Sequence, residues 1–237
     1  MRAVDSHLFL LSADLNHRGD YRSSIPALRA TESIEFEKSV TFFVGENGSG
    51  KSTLVEEIAI AAGFNAEGGS KNFQFETVRR DTEAPRFIHL SRAPRRESDG
   101  YFLRAESFFN VATEIDRLGV TRGYGGTSLH AQSHGEAFMS LLLNRLMGDG
   151  LYVLDEPEAA LSPMRQLAML ARMHDLVRLG SQFIIATHSP ILMAYPGATI
   201  YLLDEGIREV AYEETDHYTV TRSFFNRREA MLRELFS

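Results

Sequence analysis

The stretch Gly45-Glu46-Asn47-Gly48-Ser49-Gly50-Lys51-Ser52-Thr53 decides the fold of this chain. It follows the apolar run Val40–Val44 and precedes Leu54–Ala62, whose residues favour a helix. A strand, a loop with the spacing G-x-x-x-x-G-K-S and a helix together form an arrangement that cradles phosphate groups. Glycines let backbone N–H groups turn inward, and the helix N-terminus adds partial positive charge. The stretch therefore predicts a bound nucleoside triphosphate.

Two side chains of this loop have specific predicted roles. The Lys51 ammonium group can reach the β- and γ-phosphates, and the Ser52 hydroxyl can ligate Mg²⁺. The alternative interpretation is a glycine turn that binds nothing, but both flanking segments fit the phosphate-binding arrangement. The predicted nucleotide-binding residues are Gly45, Glu46, Asn47, Gly48, Ser49, Gly50, Lys51, Ser52 and Thr53.

Composition narrows the class of protein. The chain has 237 residues, of which 43% are apolar and 24% are charged, and it has no cysteine. Disulfides, cysteine-based zinc sites and thiol nucleophiles are therefore excluded. No apolar run approaches the ~20 residues of a membrane helix, and the N-terminus lacks a secretory pattern, so we expect a cytoplasmic protein. A net charge of −7 argues against coating nucleic acid but permits a local basic patch.

Apolar runs and amphipathic segments alternate along the rest of the chain. Leu151–Leu154 and Gln182–Ala186 read as buried strands, and Glu106–Leu118, Gly135–Met147 and Met164–Leu179 read as helices. This order predicts an α/β P-loop NTPase with a mainly parallel sheet flanked by helices, a small antiparallel part and an inserted helical lobe. We expect one domain, with a core lobe at 1–64 and 148–237, an inserted lobe at 65–147, and one or two C-terminal helices packed on the body.

Two more groups of polar residues follow the buried strands. Asp155 and Glu156 come directly after one strand, and His188 comes after the next. The carboxyl ends of parallel strands share one edge, so these residues should lie near the loop. Asp155 can then hold Mg²⁺ with Ser52, and Glu156 can act on the attacking water. The alternatives are ordinary caps of the helices that follow, which acidic residues and histidine also favour.

These motifs together resemble those of the ABC-type ATPases, a superfamily that includes transporter motors and soluble RecF- and SMC-like ATPases. Gly45–Ser52 matches the Walker A loop, Leu151–Glu156 matches Walker B with its catalytic glutamate, and Glu158–Ser162 resembles the D-loop. His188 matches the switch histidine, and Ser133–Glu136 resembles the signature motif. The resemblance covers nearly the whole chain. It is strongest to small standalone bacterial ATPases, which are RecF- or SMC-like rather than transporter-like.

The resemblance implies a head-to-tail homodimer that forms on ATP binding. Ser133 and Gly135 of one subunit would then contact the nucleotide held by the other. The plainer interpretation of the segment is a capping box between Ser133 and Glu136, and both can hold at once. His134 stands where the family has a small glycine, which bears on how closely a second nucleotide can approach.

The chain departs from the family in the region before the signature-like helix. Arg104 stands where a Q-loop glutamine is expected, and Gln74 lies too early, so this position stays unassigned. Tyr21 is a candidate for stacking on adenine, although an exposed loop tyrosine is the plainer interpretation. The segment 79–104 is rich in arginine, which favours a solvated loop over a patch for nucleic acid or a partner.

The sequence thus predicts an ATPase with ATP and Mg²⁺ as ligands, in which Lys51, Glu156 and His188 are the catalytic residues. Its output would be a soluble motor or switch in nucleic-acid maintenance or defence, with DNA or a nuclease as partner. The alternatives are a nucleotide-binding subunit of a membrane transporter and a P-loop kinase for small molecules. Salt-dependent DNA binding would separate the first class from the other two.

Overall fold

The computed structural model describes residues 7–16, 21–71, 87–105 and 108–237. The strands in these residues are β1 (Leu10–Leu15), β2 (Ser33–Glu35), β3 (Val40–Val44), β4 (Ile88–Arg92), β5 (Asp99–Arg104), β6 (Gly150–Asp155), β7 (Gln182–Ala186), β8 (Thr199–Leu203) and β9 (Ile207–Glu209). The α-helices are α1 (Pro26–Arg29), α2 (Lys51–Ala61), α3 (Phe108–Leu118), α4 (His134–Asn144), α5 (Pro163–Arg178), α6 (Pro190–Met193) and α7 (Asp216–Leu235). Short 3₁₀ helices lie at Tyr21–Ser24, Thr121–Tyr124, Leu129–Ala131, Pro157–Ala160 and Tyr212–Glu214.

The strands form two sheets, which confirms the predicted α/β fold. The larger sheet has the order β5-β6-β7-β3-β8-β9, and its first five strands run parallel. β9 turns back antiparallel to β8 in the predicted hairpin, with Leu203 opposite Ile207. The smaller sheet is antiparallel with the order β2-β1-β4. Its presence confirms the small antiparallel part.

The larger sheet is covered on both faces, which explains why its central strands β3, β6 and β7 are buried along their whole length. On one face, Phe42 of β3 packs in a cluster with residues of α3, α4 and α5. On the other face, Phe43 packs with α2 and with the smaller sheet. Both phenylalanines are fully buried. Successive side chains of β3 point to opposite faces of the sheet, and each face packs in a hydrophobic core, so neither face of this strand contacts solvent.

The predicted inserted lobe, 65–147, contains two strands that belong to the sheets of the body. β4 pairs with β1, and β5 is the edge strand of the larger sheet, beside β6. The helical part of the segment, α3 and α4, packs under that sheet. The division into lobes stays a prediction, and the predicted strand Phe73–Val78 lies outside the described residues. In the described ranges, no helix combines the length and the apolar character needed to cross a membrane.

The C-terminal segment Asp216–Leu235 consists of two helical stretches that meet at a kink at Arg227, and α7 denotes both together. The expectation that it packs on the body is wrong for most of its length, because none of the residues within α7 is buried. Phe225 and Leu235 are more than two-thirds exposed. The N-terminal cap, Thr215, is by contrast fully buried and fixes the start of the helix. Only the first turns of α7 are therefore held firmly against the rest of the chain.

Candidate nucleotide-binding site

The loops after β3, β6 and β7 leave the larger sheet at the same edge. These strands are neighbours, and backbone bonds continue past their ends: the Thr187 N–H donates to the Phe43 carbonyl at 3.1 Å, and the Glu156 N–H donates to the Ala186 carbonyl at 3.0 Å. The topology thus brings the glycine loop, Asp155-Glu156 and His188 to one edge, as the sequence predicts.

Two glycines of the loop are required by its backbone. Gly45 has φ +149°, and a Cβ atom there would lie 2.4 Å from the Leu203 carbonyl oxygen. Gly50 has φ +100°, and its Cβ would lie 2.7 Å from Ile25 Cγ2. Gly50 also caps α2 without any side-chain hydrogen bond, and the first turn of α2 contains no acidic residue. The N–H groups at the start of this helix are therefore available to an anion.

The Lys51 side chain lies inside the loop. Its Nζ donates to the carbonyl oxygens of Gly45 and Glu46, both at 2.9 Å. Burial lowers the pKa of Lys51, and the nearby carboxylates of Glu156 and Asp155 oppose that effect. The ammonium group is thus placed between the glycine loop and the acidic pair.

A small cavity of about 170 Å³ lies in front of the loop. Its lining includes Ile25, Asn47, Gly48, Gly50, Lys51, Ser52, Thr53 and Glu156. Larger clefts lie elsewhere, including one of about 610 Å³ beside Tyr195 and one of about 500 Å³ between α5, α6 and α7. Neither is lined by the charged groups described here. A phosphate-binding loop receives its ligand from an open surface, so cavity volume does not identify the site, whereas the donors do.

Glu156 adopts a left-handed backbone conformation, with φ 49° and ψ 52°. This conformation costs a residue other than glycine about 1 kcal/mol or more, and such strain concentrates at functional sites. The side chain is 40% exposed, whereas that of Asp155 is only 6% exposed. The two acids therefore differ: Asp155 is enclosed at the strand end, and Glu156 faces the cavity.

His188 lies beside Glu156 at this edge of the sheet. Its Nε2 is 3.6 Å from Glu156 Oε1, and its backbone N–H donates to Glu158 Oε1 at 2.5 Å. Glu158 is largely enclosed, and burial raises the pKa of its carboxyl group. The D-loop-like segment and the switch-like histidine are therefore joined within the chain.

A second histidine, His217, lies against His188 and was missed by the sequence reasoning. Its Nε2 is 3.0 Å from His188 Nδ1, and the ring centroids are 5.2 Å apart. His217 comes from the first turn of α7, 29 residues further along the chain. No local pattern marks it, because only the tertiary placement of α7 brings it to the site.

Ser133 and Gly135 lie at the start of α4. Neither is among the described residues that line the cavity in front of the glycine loop. The Ser133 N–H and hydroxyl both donate to Glu136 Oε2, at 2.9 and 2.5 Å. A Cβ at Gly135 would lie 2.1 Å from Arg165 Nη1 and 2.8 Å from the Ala160 carbonyl oxygen. Part of the capping interaction therefore forms, and Gly135 is buried by contacts within its own subunit.

Two protein families match separate parts of the chain. A family described as "AAA domain" matches residues 23–116, and one described as "AAA domain, putative AbiEii toxin, Type IV TA system" matches residues 137–194. The first match contains the glycine loop, and the second contains Asp155, Glu156 and His188. No curated protein matches the chain.

Solved structures resemble the chain over nearly its whole length. CbiO1 of Clostridium perfringens, part of the ABC transporter complex CbiONQ, is 19% identical with a TM-score of 0.51, and the match covers 96% of this chain and 99% of that one. An inward-facing "putative metal-chelate type ABC transporter" is 16% identical with a TM-score of 0.50, covering 90% and 88%. The chain has the fold of an ABC-type P-loop ATPase.

Arg104 stands where the resemblance to ABC-type ATPases leads us to expect a glutamine. Arg104 is the last residue of β5 and pairs in register with Asp155 of β6. Its Nη1 donates to Glu56 Oε2 of α2 at 2.9 Å, and its Nε lies 3.8 Å from Asp155 Oδ2. A cation thus bridges α2 and the strand end where a glutamine was expected. Gln74 and the side chain of Tyr21 lie outside the part of the chain that the structure describes.

Two further arginines of the arginine-rich segment, Arg92 and Arg95, also have partners inside the chain. Arg92 contacts Glu97 and donates to the Ala62 carbonyl oxygen at 2.9 Å, and Arg95 pairs with Asp149. These contacts hold the segment to the body. Residues 93–98 form a loop in which Arg96 is exposed, as the solvated-loop interpretation has it, whereas Arg92 lies in β4. Arg79, Arg80 and Arg86 lie outside the described ranges.

The oxygen ligands at this edge suit Mg²⁺. Ser52 offers a hydroxyl group beside the cavity, and Asp155 offers an enclosed carboxylate. Mg²⁺ is usually held by one or two protein oxygens together with phosphate and water. Within the described ranges, no cluster of three or more acidic or histidine side chains could hold a metal ion. Ser52 and Asp155 fit the ion as part of a site that a bound triphosphate would complete.

Proposed function

We propose that the chain binds Mg·ATP at the glycine loop and hydrolyses it to ADP and phosphate. The observation that carries the proposal is the meeting of Lys51, Glu156 and His188 at one edge of the sheet. Two buried polar atoms there, Ser49 Oγ and His188 Nε2, have no hydrogen-bond partner among the described residues. Buried polar groups are rarely left in this state, so a ligand is the simplest partner for both.

The residues divide the work of phosphoryl transfer as follows. The loop N–H groups and Lys51 bind the phosphates and stabilise the charge that develops during transfer. Glu156 orients a water molecule and accepts its proton as the water oxygen bonds to the γ-phosphorus and the bond to ADP breaks. Mg²⁺, held by Ser52 and Asp155, would neutralise phosphate charge. His188 contacts the γ-phosphate.

The proposal includes a head-to-tail homodimer that forms around ATP. The start of α4 supports it through Ser133 alone: this residue is exposed, so its hydroxyl can reach a nucleotide that a neighbouring subunit holds. Gly135 would act through the close packing of α4 on Ala160 rather than by direct contact, because it is buried within its own subunit.

The output of the ATPase is proposed to be a soluble switch in nucleic-acid maintenance or defence, in the cytoplasm. The matching family whose description names a toxin of a type IV toxin–antitoxin system is compatible with defence. The transporter alternative finds support in the two structures that belong to transporters. Arg104 at the expected glutamine position favours the switch, since the glutamine loop lies where a transporter motor meets its membrane subunit.

Replacement of Glu156 by glutamine tests both parts of the proposal. We expect the purified protein to hydrolyse ATP, and Glu156→Gln to lower turnover by about 100-fold or more because the water loses its base. ATP should still bind, and the variant should form a dimer when ATP is saturating. Phosphate release measures turnover, and light scattering measures mass.

A second substitution separates the dimer from binding. Ser133→Arg, combined with Glu156→Gln, should block the ATP-dependent dimer without changing the affinity of the monomer for ATP, measured at a protein concentration too low for dimerisation. A Glu156→Gln protein that stays monomeric with saturating ATP would show that the sandwich arrangement is wrong. Wild-type protein that binds no ATP would overturn the whole proposal.

A further inference from the structure

The pair formed by His188 and His217 joins the candidate active site to the C-terminal helix. One hydrogen bond connects the rings, between His188 Nδ1 and His217 Nε2 at 3.0 Å. The opposite nitrogen of His188, Nε2, faces Glu156 Oε1 at 3.6 Å and is buried without a hydrogen-bond partner among the described residues. The two nitrogens of His188 thus have distinct environments, one held by His217 and one turned toward the acidic side of the site.

The position of His217 is fixed by the residues around the start of α7. Thr215 caps this helix by accepting from the Tyr218 N–H at 3.3 Å, and its hydroxyl donates to the Tyr212 carbonyl at 2.8 Å. The Tyr212 hydroxyl donates to the Pro190 carbonyl at 2.8 Å, only two residues beyond His188. Both histidines are therefore anchored to the same small group of residues, and their contact does not depend on the exposed remainder of α7.

Both imidazole rings are neutral near pH 7. Burial lowers the pKa of His188, and the charge of Lys51 acts in the same direction. Burial also lowers the pKa of His217, again assisted by Lys51. The carboxylates of Glu156, Glu46 and Asp216 oppose these effects only in part. A neutral imidazole carries one proton on its two nitrogens, so a single proton lies between the two rings.

That single proton can belong to either ring, and the choice decides whether His188 Nε2 carries a proton. If His188 donates, its Nε2 is bare and turns a lone pair toward the carboxylate of Glu156. If His217 donates, the proton of His188 resides on Nε2, where it faces that carboxylate favourably. The second arrangement has the lower electrostatic energy, because it places a donor and not an acceptor opposite the carboxylate oxygen.

We propose that His217 is a positioning residue that holds His188 as the Nε2–H tautomer, so that His188 presents a hydrogen-bond donor to the terminal phosphate. This inference rests on the proposed function for the identity of the phosphate. Only ATP has a γ-phosphate at that point, so the donor distinguishes ATP from ADP. The N-terminal turn of α7 thereby becomes part of the machinery that senses the bound nucleotide.

The tautomer can be measured directly and without nucleotide. ¹⁵N shifts of histidine-labelled protein distinguish protonated from bare imidazole nitrogens, and loss of one signal set in His188→Asn assigns the residue. We expect Nε2 of His188 to carry the proton in the wild-type protein. A bare Nε2 would overturn the inference. This measurement remains decisive even if the chain has no ATPase activity, in which case the proposed function fails separately.

Nucleotide affinities provide the second test. His217→Ala should lower the affinity for ATP about tenfold, the loss expected for one hydrogen bond to a charged group, while the affinity for ADP stays unchanged. His217→Gln, which keeps an amide N–H in that direction, should restore most of the preference for ATP. His174→Ala is the matched control, since His174 is an exposed histidine that contacts only Tyr195 at 3.4 Å among its described hydrogen bonds. An unchanged ATP preference in His217→Ala, or no recovery with glutamine, would overturn the inference.

Discussion

Helices α2 and α4 both start near a glycine and a serine, but the N–H groups and charges at their N-termini differ. The first turn of α2 follows Gly50, has no side-chain cap and contains no acidic residue. The first turn of α4 follows Ser133, and Glu136 accepts hydrogen bonds from both the N–H and the hydroxyl of that serine. One helix end therefore offers open donors and positive potential, whereas a carboxylate of its own chain already occupies the other.

This difference shows why a glycine and a serine near a helix start do not by themselves identify a phosphate site. At α2, the backbone of the loop requires Gly45 and Gly50, and Lys51 adds a cation inside the loop. At α4, Gly135 permits close contact with Arg165 and Ala160 of the same chain. The first arrangement is complete within one subunit, and the second can contribute only from its exposed serine to a neighbour.

Removal of the cation at α2 should have the largest effect. Lys51→Ala should weaken ATP binding by about 100-fold, because Lys51 would bind phosphate in the proposed site and because it holds the carbonyls of Gly45 and Glu46. Fluorescent ATP analogues measure the affinity. Lys71→Ala is the control, since Lys71 pairs with Glu97 away from the loop. An equal loss in both variants would mean that the α2 end has no special role.

Adding one methyl group at α4 should have an intermediate effect, on stability and not on binding. Gly135→Ala should lower the free energy of unfolding by about 1–3 kcal/mol, because the new Cβ meets the backbone carbonyl of Ala160. Denaturant titration measures the change. Gly123→Ala serves as the control, since no atom of the described part of the chain lies within 4 Å of its Cβ position. Equal stability of the two variants would contradict the packing role assigned to Gly135.

The smallest expected effect concerns the carboxylate that caps α4. The hydrogen bonds from Ser133 lower the pKa of Glu136 below its ordinary value of 4.5. Its contribution to stability is therefore present above pH 4.5 and is lost as the pH falls through the lowered pKa. Glu136→Gln should lose less stability on acidification than the wild type, as measured by thermal unfolding between pH 6 and about pH 3. Glu205→Gln, on the β8–β9 turn, should keep the wild-type slope, and identical slopes in all three proteins would contradict the capping role.

Much of the fold and the core of the site could be predicted from sequence because the signals are local. The glycine loop has its strand and its helix within a few residues, and Asp155-Glu156 directly follows a buried strand. Parallel pairing then brings the separate strand ends together without further information. The fold class was confirmed for this reason, while the roles of the site residues stay predictions.

What the sequence did not reveal depends on contacts between distant segments. His217 reaches His188 only because Thr215 and Tyr212 fix the start of α7, and no spacing rule predicts that contact. The exposure of α7 was missed because a helical pattern does not state whether a partner surface exists. The pairing of β5 with β6 was not predicted, because the register between strands that are distant in the chain cannot be read from the sequence.

At position 156, the left-handed backbone favours glycine for stability, whereas the proposed turnover requires the glutamate. Glycine adopts φ 49° without steric cost, so a chain selected only for stability would favour glycine there by about 1 kcal/mol. The carboxylate that the proposed reaction needs would then be lost. Residue 156 is thus a position at which a stability-optimised redesign of this backbone would produce a sturdier protein with no catalytic base, and any such redesign should hold the glutamate fixed.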